Sequence, residues 1–154
     1  MKPYMKTKFA IGCLVQWYEV DIIGEYIETL NEAIEQYDGE VIVDFTLCLN
    51  QDLEKCISEE QLNICEYTID TKLEISNFKT ITTTELVTIA DYRREFNDKY
   101  CESVDVLMWG ESDALIPKQT FNVLDNLHQM SLQNDNPKYL AFFGTCKMWD
   151  KSWE

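Results

Sequence analysis

Histidine is almost missing from this sequence: His128 is the only one in 154 residues. The six cysteines are Cys13, Cys48, Cys56, Cys65, Cys101 and Cys146, and no two form a C-x-x-C pair. Zinc sites of the usual Cys/His spacing therefore find no support. Cys13 and Cys146 sit inside apolar runs. This marks them as small buried hydrophobes with reduced thiols, and it points to a cytoplasmic compartment. A thiol enzyme is disfavoured as well, because the lone His128 falls on a helix near its apolar face.

Positive charge is also scarce. There are 13 Lys and Arg against 28 Asp and Glu, a net charge of −15. Nucleic acid would be repelled, and so would an anionic membrane surface. Most of this charge reads as solvated surface that keeps the chain in solution, although it also suits cation binding. Long apolar runs are missing too. The run Phe9–Val15 is too short to span a bilayer, and no signal-peptide cleavage site follows it.

What remains has a globular balance, 45% apolar and 27% charged. No internal repeat, low-complexity stretch or linker is visible. The length predicts a single domain over residues 1-154, large enough to bury a core without disulfide or metal staples.

Phe9–Val15 has no polar alternation and reads as a strand buried on both faces. A polar and aromatic turn follows, Gln16-Trp17-Tyr18-Glu19. Ile22, Ile23, Tyr26, Ile27, Leu30, Ile34 and Tyr37 recur at helical spacing, with Asp21 as N-cap and Asp38-Gly39 as stop. Glu40–Asp44 is a second strand, continuing through Phe45, Leu47 and Leu49. Strand, helix and strand within this span make a right-handed βαβ unit. The ends of both strands then share one sheet edge, where open α/β sheets bind ligands. Gln16 to Glu19 and Asp44 onward are the candidates there.

Ser58-Glu-Glu-Gln61 fits a capping box before a helix carrying Leu62, Cys65 and Ile69. Lys79–Thr82 is a short strand. Thr82-x-x-Glu85 fits a second capping box, opening a helix to Tyr100 with Leu86, Val87, Ala90, Phe96 and Tyr100 as its apolar face. Arg93 and Arg94 lie on that helix, either on a solvated face or as phosphate contacts. Val104–Trp109 is a buried strand that runs into Gly110-Glu111-Ser112-Asp113. Pro117 opens another helix, carrying Phe121, Leu124, Leu127 and Met130. Tyr139–Phe143 is predicted as a last strand.

Glu111 and Asp113 stand one residue apart at a strand end, so in an extended chain they point to the same side. Two converging carboxylates suit a hard cation such as Mn²⁺ or Mg²⁺, which takes oxygen ligands and keeps positions open for phosphate oxygens. Such triplets also arise as plain solvated charge in an acidic chain. The position between an apolar strand and a proline-opened helix sets this one apart.

In this order of elements the chain resembles glycosyltransferases of the GT-A type, in particular the large family-2-like group. The likeness covers roughly residues 8 to 130. It is carried by Phe9–Glu19, Asp21–Tyr37, Val41–Asp44, Arg93-Arg94, Val104–Trp109, Glu111-Ser112-Asp113 and Pro117. The resemblance implies a three-layer α/β/α fold with a mostly parallel central sheet. It implies a donor that is a nucleotide-diphosphate sugar, an acceptor of unknown identity, and Mn²⁺ or Mg²⁺ to neutralise the departing diphosphate. By position, Gln16, Trp17, Tyr18 and Glu19 would flank the base and ribose, with Tyr18 a stacking candidate. Asp44 would contact base or ribose, and Arg93 or Arg94 the phosphates. Asp113 would hold the metal, and Glu111 the metal or ribose.

The sequence departs from the family pattern in three ways. The first acid of the D-x-D motif is Glu111. Asp44 is followed by Phe-Thr-Leu-Cys where another acid, Gly and Ser are usual. Only 41 residues follow Asp113, where the family places its acceptor site and base. The expectation is thus a domain incomplete at its C-terminus. The alternative reading is a non-catalytic or truncated nucleotide-binding domain of the same fold. Exposed apolar surface on a truncated sheet predicts self-association into a homo-oligomer. A phosphatase or phosphotransferase with an acidic Mg²⁺ site ranks below both.

Overall fold

Apolar residues on both sides of one strand require cover on both faces, and β1 (Phe9–Gln16) has it. The computed structural model describes residues 4–16, 19, 22–50, 63, 77–83, 88–135 and 138–143. Within them β1 is joined by β2 (Val41–Asn50), β3 (Asn77–Thr83) and β4 (Val106–Trp109) in one sheet of order β3-β2-β1-β4. Every pairing is parallel. This is an α/β architecture, with α1 (Ile23–Glu35), α2 (Ile89–Tyr100) and α3 (Thr120–Gln133) between or after the strands.

Alternation along β1 sends its side chains to two cores. Phe9, Ile11, Cys13 and Val15 pack with Val43, Phe45 and Leu47 of β2 against Tyr26, Ile27 and Leu30 of α1 and Phe121 and Leu124 of α3. Ala10 and Leu14, with Cys48 of β2, meet Tyr92, Phe96 and Tyr100 of α2 on the opposite face. Gly12 belongs to that second face. A Cβ there would lie 2.6 Å from the Phe96 ring and 2.8 Å from the Tyr92 hydroxyl. The missing side chain is what allows α2 to approach the sheet.

The predicted βαβ unit is present: α1 connects β1 to its parallel neighbour β2. The stripe on α1 matches the expected one except at Ile22, which is half exposed and serves as N-cap. Asp21 and the capping box at Ser58–Gln61 lie outside the described residues. Thr82 falls within β3, so it does not cap the following helix. The cap is Thr88, whose hydroxyl accepts from the Asp91 backbone N–H at 3.1 Å. The buried stripe of α2 is Tyr92, Phe96 and Tyr100, while Ala90 is exposed. On α3, Phe121 and Leu124 are buried, but Leu127 and Met130 are exposed.

Tyr139–Phe143 is not a strand. The connection that precedes it opposes a parallel pairing beside β4. The crossovers through α1 and α2 move in opposite directions across the sheet on opposite faces, so they have one hand. From α3, which lies on the face of α1, a parallel strand outside β4 would need the other hand. Such crossovers are almost never made. Leu140, Phe142 and Phe143 are exposed.

No helix among the described residues is long and apolar enough to cross a membrane. Cys13 and Cys48 are buried free thiols, and Cys101 is an exposed one.

Candidate functional site

Because β1 is central and β4 lies on the side away from β2, the chain reverses its direction of travel across the sheet between β1 and β4. Crevices in open α/β sheets form at the carboxyl ends of strands where the order reverses. Gln16 and Glu19 follow β1 on this edge, and the Glu111–Asp113 turn follows β4. β4 ends level with the middle of β1, with Gly12 opposite Trp109. The Gly110 N–H donates to the Gly12 carbonyl at 2.8 Å, which turns the chain into Glu111-Ser112-Asp113. Gly110 has no room for a side chain, since a Cβ would lie 2.0 Å from the Tyr26 hydroxyl.

The end of β1 closes on itself. Glu19 accepts from the Gln16 backbone N–H through Oε2 at 2.7 Å. Trp17 and Tyr18 lie outside the described residues. Beneath the edge, burial pushes the Cys13 thiol well up, and the carboxylates of Glu19, Glu111 and Asp113 push it further. Cys13 therefore stays protonated. Glu111 and Asp113 are exposed while Ser112 between them is buried. The Ser112 and Tyr26 hydroxyls have no hydrogen-bond partner among the described residues.

The two arginines separate. Arg93 reaches from α2 to the end of β4 and pairs with Glu111 Oε1 at 2.9 Å. Its guanidinium lies 4.9 Å from the centre of the Trp109 ring. The Trp109 indole N–H in turn donates to Asn97 Oδ1 at 3.0 Å. Arg94 is on the exposed side of α2 and pairs with Asp91 at 3.3 Å.

Asp44 is not at the strand end expected for it. β2 runs on to Asn50, and the Asp44 side chain is buried under α2. It accepts from the Tyr100 hydroxyl at 2.7 Å, the Tyr92 hydroxyl at 2.9 Å and Lys99 Nζ at 3.4 Å.

For a divalent cation, the turn offers the oxygens of Glu111 and Asp113. Mg²⁺ is commonly held by one or two carboxylates together with substrate phosphates, so two donors are chemically sufficient. Among the described residues no group of three or more His, Cys, Asp or Glu side chains is arranged to hold a metal ion. Sequence reasoning missed Trp109 and Asn97. The spacing of Arg93 and Asn97, four apart on one helix face, was the available signal.

Comparison of the chain with protein-family models, curated proteins and solved structures finds no match.

Proposed function

We propose that this chain is a metal-dependent, glycosyltransferase-like protein of the GT-A type, with its helices and sheet as the three α/β/α layers of that fold. It binds a nucleotide-diphosphate sugar at the carboxyl edge between β1 and β4 and passes the sugar to an acceptor. The observation that carries this reading is the reversal of strand order at β1, which puts Gln16 and Glu19 after β1 on the same sheet edge as the Glu111–Asp113 turn and the Arg93 that pairs with it. Gln16 and Glu19, with Trp17 and Tyr18, would flank the base and ribose. Arg93 would meet the phosphates, and Asp113 and Glu111 would hold Mn²⁺ or Mg²⁺. The metal supplies charge neutralisation of the leaving diphosphate.

A second reading is a nucleotide-binding domain without transfer activity. It is favoured by the Arg93–Glu111 pair, which occupies one of the two carboxylates the cation needs.

Calorimetric titration of UDP and GDP, with Mn²⁺ and with chelator, tests both. Binding that requires the metal and is lost in Asp113→Ala is expected. Binding that is unchanged by Asp113→Ala would sink the metal site. Metal-dependent binding without sugar release from any donor would select the second reading.

A further inference from the structure

We propose that Arg93, Trp109 and Asn97 form an anion site occupied by the chain's own Glu111, and that a phosphoanion binds there by displacing that carboxylate. This rests on the nucleotide-binding reading above and gives that site its regulation.

The guanidinium is oriented before any ligand arrives. One edge of it meets Glu111 at 2.9 Å, and its face lies against Trp109. Trp109 is itself held by Asn97. A planar fork fixed by stacking suits a carboxylate or a phosphate alike, because both accept two parallel hydrogen bonds. Trp109 is 49% exposed, although Tyr92, Phe96 and Tyr100 already supply the core on this face of the sheet. Its place at the edge is thus better explained by the guanidinium it carries than by core packing.

Charge sharpens the point. The chain carries −15 overall, and Glu19, Glu111 and Asp113 come just after the carboxyl ends of β1 and β4. An incoming phosphate meets repulsion unless a cation is available. Arg94 is turned outward to Asp91, which leaves Arg93 as the described cation that reaches the end of β4. Glu111 masks it.

The mask is exchangeable. The two side chains are 29% and 53% exposed. Ion pairs this open are weak, equivalent to about a two- to fivefold effect. A diphosphate brings more charge than one carboxylate and needs only a side-chain rotation of Glu111 to enter.

The test is a titration of inorganic pyrophosphate in chelator, followed by the Trp109 indole N–H resonance. The resonance is identified by its loss in Trp109→Phe. Wild type, Glu111→Gln, Arg93→Gln and the double variant are compared. Glu111→Gln is expected to tighten binding by about fivefold. Arg93→Gln should weaken it at least tenfold, and in that background the Glu111→Gln gain should shrink below twofold. An equal gain in both backgrounds would show that Glu111 acts through bulk charge alone, and would overturn the proposal. An unmoved indole in both wild type and Glu111→Gln would overturn it too. If UDP or GDP still binds in that case, only the masked anion site falls. If neither binds, the nucleotide reading falls with it.

Discussion

Asp125 on α3 and Thr7 ahead of β1 are joined twice, although 118 residues separate them. The Thr7 backbone N–H donates to the Asp125 carboxylate at 3.1 Å and its hydroxyl donates at 2.6 Å. Tyr4 donates to the other oxygen, and Lys6 lies 3.5 Å from it. This cluster fastens the chain before β1 to α3, at the edge of the sheet opposite the candidate site. Burial of Asp125 opposes its charge, but the hydrogen bonds from Thr7, Tyr4 and Gln129 outweigh burial and hold its pKa at about 2, below the ordinary 3.8. A carboxylate with a lowered native pKa stabilises the fold above its unfolded value. That stability, about 2 kcal/mol, is lost as pH falls from roughly 4 through 2. Asp125→Ala should lower the unfolding free energy by about 3 kcal/mol, since it strands several buried donors. In urea titrations the variant should also lose the wild type's decline in stability over this acid range.

Asp44 is expected to behave as a structural residue. Asp44→Ala removes the carboxylate that accepts from the Tyr100 hydroxyl, leaves Tyr92 the Asp44 backbone carbonyl at 3.3 Å, and should cost about 3 kcal/mol. Tyr92→Phe or Tyr100→Phe should cost about 1 kcal/mol each. Burial raises the pKa of both tyrosines above the ordinary 10.0, and the Asp44 carboxylate raises it further. Groups held protonated by the fold stabilise it below their unfolded value, so stability should fall as pH climbs past about 10. Thermal unfolding against pH checks this. A UDP or GDP titration of a folded Asp44 variant should match wild type. A selective loss of nucleotide binding would return Asp44 to the ligand site.

The segment after α3 should govern self-association. Leu140, Phe142 and Phe143 are 75%, 85% and 57% exposed. Replacing all three with Ser should leave stability within about 0.5 kcal/mol per site, because exposed side chains contribute little to the fold. Sedimentation velocity over a concentration series should show association in wild type and its reduction in the triple variant. Identical profiles would assign association to another surface or to none.

Much of this arrangement is legible from local pattern. The unbroken apolar run Phe9–Val15 marks a central strand, and the three-to-four spacing from Ile23 to Tyr37 marks α1. These signals are local: each depends on which residues stand two, three or four places apart. The Glu111–Asp113 turn is legible for the same reason, because a strand, a glycine and a proline follow one another in the chain, although α3 opens at Thr120 with Gln119 as its N-cap and not at Pro117.

Other features depend on partners far away in sequence. Periodicity could not tell that Asp44 would be covered by two tyrosines of α2, because that depends on which helix lies over β2. It could not distinguish Arg93 from Arg94, since neighbours on a helix differ by 100° and only the position of β4 decides which one reaches Glu111. It read Tyr139–Phe143 as a strand from composition, but a strand also needs a partner, and the hand of the crossover opposes a parallel one beside β4. The sequence alone determined β1, α1 and β2, the two-faced burial of β1 and the acidic turn. Tertiary structure alone decided which charges meet, because an ion pair or a buried carboxylate is set by distances that span the whole chain.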